Sequence, residues 1–408
     1  MIDTSGIGVF LGLDVGKGEH HAHGLTPAGK TVHDKRMPNS EPKLRDLFDK
    51  LRAKFGTVLL IVDQTANIGA LPVAVARDAG CEVAYLPGLA MRRAADLYPG
   101  EAKTDARDAY VIADTARSMP HTLRSIETTD ETTAELAMLV GFDDDLAGEA
   151  TRVSNRLRGL LTQIHPSLER VLGPRVQHPA VLTMLEQFGS PAQLRKAGRR
   201  RLITLIRPKA PRMAERLIND VFTALDEQTV TVPGTQAATT IVPSLARQLA
   251  AILDQRRTLE AQISALLEAR PLSQLLMSLP GVGIRTGATL LVTIGDGTTF
   301  ATAGHLASYA GLAPVTKASG SSIRGEHAPH RGNRQLKRAM FLSAFAALHD
   351  TPSRTYYDRQ RAAGKTHTQA LLRLARRRID VIHAMLRNGT FYEPRTPKNP
   401  AEDIDLAA

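Results

Sequence analysis

The chain has 408 residues and a mass of 44.2 kDa, more than one ordinary hydrophobic core accommodates, so two or three domains are expected. Its apolar fraction of 43% is that of a globular protein, and a lone cysteine, Cys81, excludes an internal disulfide and any cysteine-built zinc or iron–sulfur site. The formal charge of +11 is uneven: residues 1–125 hold 16 basic and 15 acidic side chains, whereas residues 312–378 hold 14 Lys and Arg against three acids. So local an excess suits a polyanion such as a nucleic-acid backbone. No apolar run approaches the ~18 residues of a membrane span, and no signal-like segment opens the chain; a soluble, cytoplasmic protein with no membrane partner is expected.

Residues 7–14 read as a buried strand that delivers one carboxylate, Asp14, and breaks at Gly16. Residues 20–25 and 31–37 are further strands around a turn at Pro27-Ala-Gly29, and residues 42–55 have helical apolar spacing. Residues 58–62 are continuous, apolar and partly β-branched, the pattern of a central strand, and Asp63 follows them. A helix over 68–78 and a strand over 81–86 complete a mixed sheet covered by helices. Ligands of open sheets gather beyond the carboxyl ends of strands, where Asp14 and Asp63 lie. Asp105 and Asp108, three apart, open the next helical pattern and share a helix face, with Asp114 further along and less well aligned. Mg²⁺ takes oxygen ligands and commonly works with substrate phosphate, so the combination points to metal-dependent chemistry on phosphodiesters. Each carboxylate alone also has a bland reading, as a helix cap or an ion-pair partner.

Residues 127–168 form a long polar helix with an apolar stripe, ended by Pro166, and residues 241–267 form another. The two are expected to pair within one chain or between subunits. Between them, Arg199-Arg-Arg201 fits a solvated surface and a nucleic-acid contact equally well. A new domain is expected near residue 271. There Leu279-Pro-Gly-Val-Gly283 joins two helical stretches; Gly281 and Gly283 expose backbone N–H groups suited to a DNA phosphate, or simply make a helix–helix turn. Residues 311–325 read as a loop with three serines, Ser319, Ser321 and Ser322. Lys317, Arg324, Arg331, Asn333, Arg334, Lys337 and Arg338 surround it in sequence as candidate nucleic-acid contacts, followed by a helix over 339–348. An exposed serine there is a candidate nucleophile, but serine–glycine loops are common and spacing reveals no general base. A basic amphipathic helix carries Arg373 and Arg376 to Arg378, and the Pro-rich end beyond Thr390 is expected to be flexible.

Gly12-Leu-Asp14-Val, Lys103-Thr-Asp105-Ala-Arg-Asp108-Ala, Leu279-Pro-Gly-Val-Gly283, Tyr309-Ala-Gly-Leu-Ala-Pro314, Ser319-Gly320 and Gly332-Asn333 together resemble, in order and spacing, transposases of the IS110 family of bacterial insertion sequences and their IS1111-like relatives. The resemblance spans nearly the whole chain. It implies an α/β RuvC-like (RNase H-like) domain of DEDD type over 1–125 and a helical, coiled-coil middle over 126–270. It further implies a mainly α, serine-recombinase-like domain with a helix-hairpin-helix-like element over 271–390, and a tail over 391–408. The implied catalytic set is Asp14, Asp63, Asp105 and Asp108, holding Mg²⁺, with Ser319 as nucleophile. Asp63 stands where the family has a glutamate. The implied activity is site-specific recombination of double-stranded donor and target DNA, guided by a structured bridge RNA and carried out by homodimers that assemble into homotetramers. Two alternatives remain: a RuvC-like nuclease or junction resolvase in which water attacks, and an inactive nucleic-acid-binding relative.

Overall fold

The computed structural model describes residues 3–64, 67–99, 104–126, 131–319 and 323–394, in two compact units, Met1–Thr129 and Asp130–Ala408. In the first, β1 (Val9–Asp14), β2 (Glu19–Leu25) and β3 (Thr31–Pro38) form an antiparallel meander. The chain continues through α1 (Glu41–Phe55), β4 (Val58–Val62), α2 (Ala70–Asp78), β5 (Glu82–Tyr85), α3 (Gly88–Ala95), α4 (Asp105–Ser118) and β6 (Arg124–Ser125). The sheet order is β3-β2-β1-β4-β5-β6, with β1, β4 and β5 mutually parallel where they pair. This is a mixed sheet flanked by helices, consistent with an RNase H-like core.

Period-2 alternation assigns each strand residue to a face. Leu11, Leu13, Leu60 and Val62 pack with Leu44, Phe48 and Leu51 of α1, whereas Phe10, Leu59 and Ile61 pack with Ile112 and Ala116 of α4. Every side chain of β4 is buried, which explains its unbroken apolar run. Gly12 faces α4. A Cβ there would lie 2.3 Å from the Ala109 carbonyl oxygen and 2.6 Å from the Ala113 nitrogen, so only glycine lets the helix backbone rest on β1. The Thr104 hydroxyl caps α4 by accepting from Arg107 N at 3.2 Å.

The second unit is mostly helical. Its first helix, α5 (Glu131–Ile164), is followed by α6 (Pro166–Leu172), α7 (Pro179–Gln187), α8 (Pro191–Ala197), α9 (Arg199–Ile206), α10 (Ala214–Asp226) and α11 (Thr235–Glu268). The start of α5 shares a core with the end of α11, through Leu136, Val140, Ile263 and Leu267, so these 34-residue helices run antiparallel. Pro166 ends α5 as expected and occupies the first turn of α6. By contrast α11 starts at Thr235 and carries Pro243 inside it. Burial of Ala238 and Val242 on either side of the lost hydrogen bond holds that turn helical.

Then come α12 (Pro271–Met277), α13 (Ile284–Ile294), α14 (Ala303–Tyr309), β7 (Val315–Ser319), β8 (Ile323–His327), α15 (Arg334–Ala346), α16 (Thr351–Ala362) and α17 (His367–Asn388). The segment read as a serine loop is largely a two-stranded antiparallel hairpin, β7–β8. Helix α15 begins five residues before the expected 339, because Asn333 Oδ1 accepts from Leu336 N at 2.9 Å and caps it. Arg378, only 4% exposed, donates to Ser343 Oγ at 2.7 Å and to the Pro280 carbonyl, tying the turn after α12 to α15 and α17. Burial lowers its pKa to about 10, which leaves it charged. The described residues establish this helical region but carry no feature specific to a serine-recombinase fold or a helix-hairpin-helix element.

Two substitutions test these contacts. Gly12→Ala should destabilise the amino-terminal unit by about 1–3 kcal/mol through overpacking against backbone that has no side chain to yield. Hydrogen exchange should accelerate in peptides covering β1 and α4, and unchanged protection would contradict the contact. In the second unit, Asp143 has a side chain 9% exposed and accepts from Arg256 Nε and Nη2 at 2.8 and 3.0 Å. Arg285 Nε lies 3.1 Å from Asp143 Oδ2, without hydrogen-bond geometry. Asp143→Ala leaves two facing cations and should cost about 3 kcal/mol in urea unfolding, the low end for a broken buried pair because both arginines keep some solvent.

Candidate active site

Register brings the first two carboxylates together. Leu13 pairs with Val62 in the parallel β1–β4 ladder, so Asp14 and Asp63 are the next residues on neighbouring strands, beyond their carboxyl ends. By alternation both lie on the face that α4 covers. The first turn of α4 supplies Asp105 and Asp108, and the absence of a Cβ on Gly12 fixes how near that turn comes. Helix α4 therefore aims its partially positive end at the same region.

The electrostatics record the convergence. Partial burial, and then the charges of Asp63, Asp108 and Asp105, push the Asp14 carboxyl up to about 6; His21 acts in the opposite direction. Asp63 is also raised, by burial and by Asp108. Asp63 Oδ1 is buried without a hydrogen-bond partner, an unmet acceptor at a site rich in negative charge. Asp105 is the outermost of the four, with its side chain 68% exposed and Arg36 Nη2 4.0 Å from Oδ2. Among the described residues no three His, Cys, Asp or Glu side chains form a group that could hold a metal ion as they stand. The four carboxylates interact through charge across a shared face rather than as a closed cage.

Asp114 is spoken for: it accepts from Arg117 at 2.6 and 2.9 Å and from the Tyr98 hydroxyl at 2.6 Å. Sequence reasoning passed over His21. It sits directly opposite Asp14 in the β1–β2 ladder, with Nε2 2.7 Å from Asp34 Oδ1. The signal was the short Gly16-Lys-Gly18 turn, which folds the following strand back against β1.

The carboxyl-terminal candidates divide by role. Ser319 ends β7, paired in register with Ile323, while Ser321 and Ser322 lie outside the described residues. Lys317 and Arg324 lie on the two strands of the hairpin. Arg331 and Arg334 are exposed, Lys337 approaches the Pro329 carbonyl at 3.5 Å, and Arg338 pairs with Asp144 at 3.4 Å. Asn333 is engaged structurally: besides capping α15, its Nδ2 lies 2.9 Å from the Tyr309 hydroxyl. Gly281 has φ of +81°, and a Cβ on it would meet Ser343 O at 2.5 Å and Ala347 N at 2.7 Å, so packing on α15 accounts for it. Gly283 is the open residue before α13.

A mixed sheet of this order with acidic strand ends is consistent with a protein built on an RNase H-like core. Comparison with known proteins gives the family. A DEDD-type IS110 model, described as transposase, matches residues 11–166, and a model described as transposase of the IS116/IS110/IS902 family matches residues 273–358. The chain is 74% identical to an uncharacterized 43.6 kDa protein of insertion element IS110 from Streptomyces coelicolor, covering 100% of both. It is 36% identical to an uncharacterized 44.8 kDa protein of IS116 from Streptomyces clavuligerus, over 95% of this chain and 97% of that one. A pilin gene-inverting protein of Moraxella lacunata is 34% identical over 35% of this chain and 46% of its own length. The chain belongs to the IS116/IS110/IS902 family of transposases and is an enzyme of that class.

These findings correct one expectation. The family model over the amino-terminal half is an acidic, DEDD-type transposase, which implies RuvC-like nuclease chemistry and overturns strand exchange by a Ser319 nucleophile.

The charge crowding at Asp14 has a measurable consequence. A carboxyl whose pKa is raised on folding contributes stability below its unfolded value near 3.8, and that contribution is lost as pH rises through about 6. Asp14→Asn, measured in chelator, should therefore melt a few degrees above the parent at pH 8, with the gap closing towards pH 4. A gap independent of pH would mean that Asp14 does not feel its neighbours.

Proposed function

We propose that the protein cleaves DNA phosphodiester bonds by metal-assisted hydrolysis at Asp14, Asp63, Asp105 and Asp108, as the chemical step of transposition. The observation that carries this reading is the placement of four carboxylates, from two strand ends and one helix turn, on one face of the sheet, with Asp14 raised by burial and by the charges of the other three and Asp63 Oδ1 left unpartnered. An all-oxygen, partly buried anionic set fits a hard divalent cation, and Mg²⁺ is the natural choice. When bound, such a cation lowers the pKa of coordinated water and stabilises charge on phosphoryl oxygens.

The chain's own residues have separable parts in this scheme. Asp14 and Asp63, anchored on rigid strands, set the inner position, and Asp108 completes it from α4. Asp105 and Arg36 lie at the exposed rim, where a phosphate of the substrate would approach. Asp63 in place of a glutamate shortens one donor by a methylene, which draws that position closer to β4. His21, held by Asp34, supports the ionised form of Asp14.

The test is strand cleavage of supercoiled and linear DNA over a Mg²⁺ titration. Asp14→Asn and Asp63→Asn should each lose at least about 100-fold in rate, while Ser319→Ala keeps cleavage within about 3-fold. A covalent protein–DNA adduct that disappears in Ser319→Ala would overturn attack by water. Parent-like cleavage by Asp63→Asn across limiting Mg²⁺ would remove Asp63 from the set.

A further inference from the structure

The Arg199-Arg200-Arg201 run lies outside the acidic site, and its surroundings give it a specific character. It opens α9 directly after Gly198, and all three side chains are exposed. They line an open groove of about 680 Å³ that Gln187, Gly198 and Thr204 also border. Arg199 lies over the Phe222 ring at 4.7 Å and donates to Asn219 Oδ1 at 2.9 Å; Arg201 lies over the Phe188 ring at 5.6 Å. Two of the three guanidinium groups are thus held in place by neutral partners that leave their charge uncompensated. The Arg200 side chain makes no hydrogen bond or ion pair among the described residues.

Most nearby acids are committed elsewhere. Residues 166–230 contain 11 Lys and Arg against six Asp and Glu. Asp226 pairs with Arg195 at 2.8 Å, Glu227 with Arg170 at 2.7 Å, and Glu215 with Arg207 at 2.5 Å. Glu186 pairs with Arg247 at 3.2 Å and Glu169 with Arg158 at 2.7 Å. Five of these six acids are thus matched to other arginines, Asp220 being the exception among the described residues, and none of the six is paired with the run at the head of α9. Three consecutive cations also face the partially positive end of their own helix, an arrangement with no internal benefit.

An external polyanion removes that repulsion. The two aromatic rings beside the groove are already covered by guanidinium groups, so it offers charge rather than free faces on which unpaired bases stack. Guanidinium donors without base-stacking faces suit backbone phosphates, which position a duplex without reading its sequence. We propose that this groove binds the phosphodiester backbone of duplex DNA, as a non-specific anchoring surface separate from the acidic site.

The test is fluorescence anisotropy of the full chain in EDTA across a KCl series, with a DNA duplex of about 30 base pairs and an RNA hairpin as probes. Without divalent metal, failure of the acidic site leaves the reading untouched. The triple variant Arg199→Gln, Arg200→Gln, Arg201→Gln should bind the DNA duplex about 10-fold or more weakly near 0.15 M salt, with a log–log salt slope shallower by about 2–3. Arg200→Glu alone should weaken it about 5-fold at an unchanged melting temperature, which separates lost contact from lost folding. Parent-like affinity and slope in both variants would overturn the proposal. A loss confined to the RNA hairpin would overturn it too, giving the groove to RNA. If the triple variant weakens binding only by melting early while Arg200→Glu binds like the parent, the run is structural and the proposal fails.

Discussion

Everything at the acidic site depends on one missing methyl group. Where most helices pack on a sheet through two layers of side chains, α4 meets β1 backbone to backbone at Gly12. The spacing between helix and sheet is thereby set by van der Waals contact of main-chain atoms, which has no rotamers to adjust. Two of the four carboxylates ride on the helix and two on the strands, so that spacing is also the depth of the site. The sheet contributes its own precision: a parallel pairing of β1 with β4 puts Asp14 and Asp63 side by side, and the strand pleat puts both on the helix side.

The carboxylates of the chain fall into two populations, told apart by their partners. Asp34, Asp114 and Asp143 each meet a cationic or hydrogen-bonding group at close range and work within the fold. Among the described residues Asp14 has no such side-chain partner at close range and Asp63 meets only a main-chain hydrogen bond, and apart from His21 beside Asp14 the charges that act on them are of the same sign. A fold that keeps like charges together, partly buried, holds them in a less favourable state than solution offers. Such an arrangement is a common mark of sites whose stabilising partner is a ligand rather than the protein.

Much of this was written in the sequence, for identifiable reasons. Residues 58–62 announce a central strand because burial on both faces leaves no polar position, and an aspartate straight after such a run lands at a strand end. Asp105 and Asp108 share a face because three residues make nearly one helical turn. What stayed hidden was tertiary. Gly12 looks like any strand glycine until the helix lying on it is known, and Gly281 and Asn333 looked suited to phosphate until α15 explained both. The β7–β8 hairpin escaped because its polar residues do not alternate with apolar ones, and α16 because its apolar face is thin. The serine reading failed differently: a resemblance assigned a role that local residue types do not determine.

The two margins of the six-stranded sheet are guarded by different means. On one side β6, only two residues long, pairs with β5 and then stops, leaving too little ladder for a foreign strand to extend. On the other, β3 presents exposed Asp34, Lys35 and Arg36 and ends in Pro38, whose nitrogen cannot donate. An open strand edge is otherwise a row of unpaired N–H and C=O groups on which another chain can build. Short strands, charge and an imino acid keep both margins from serving as such a template.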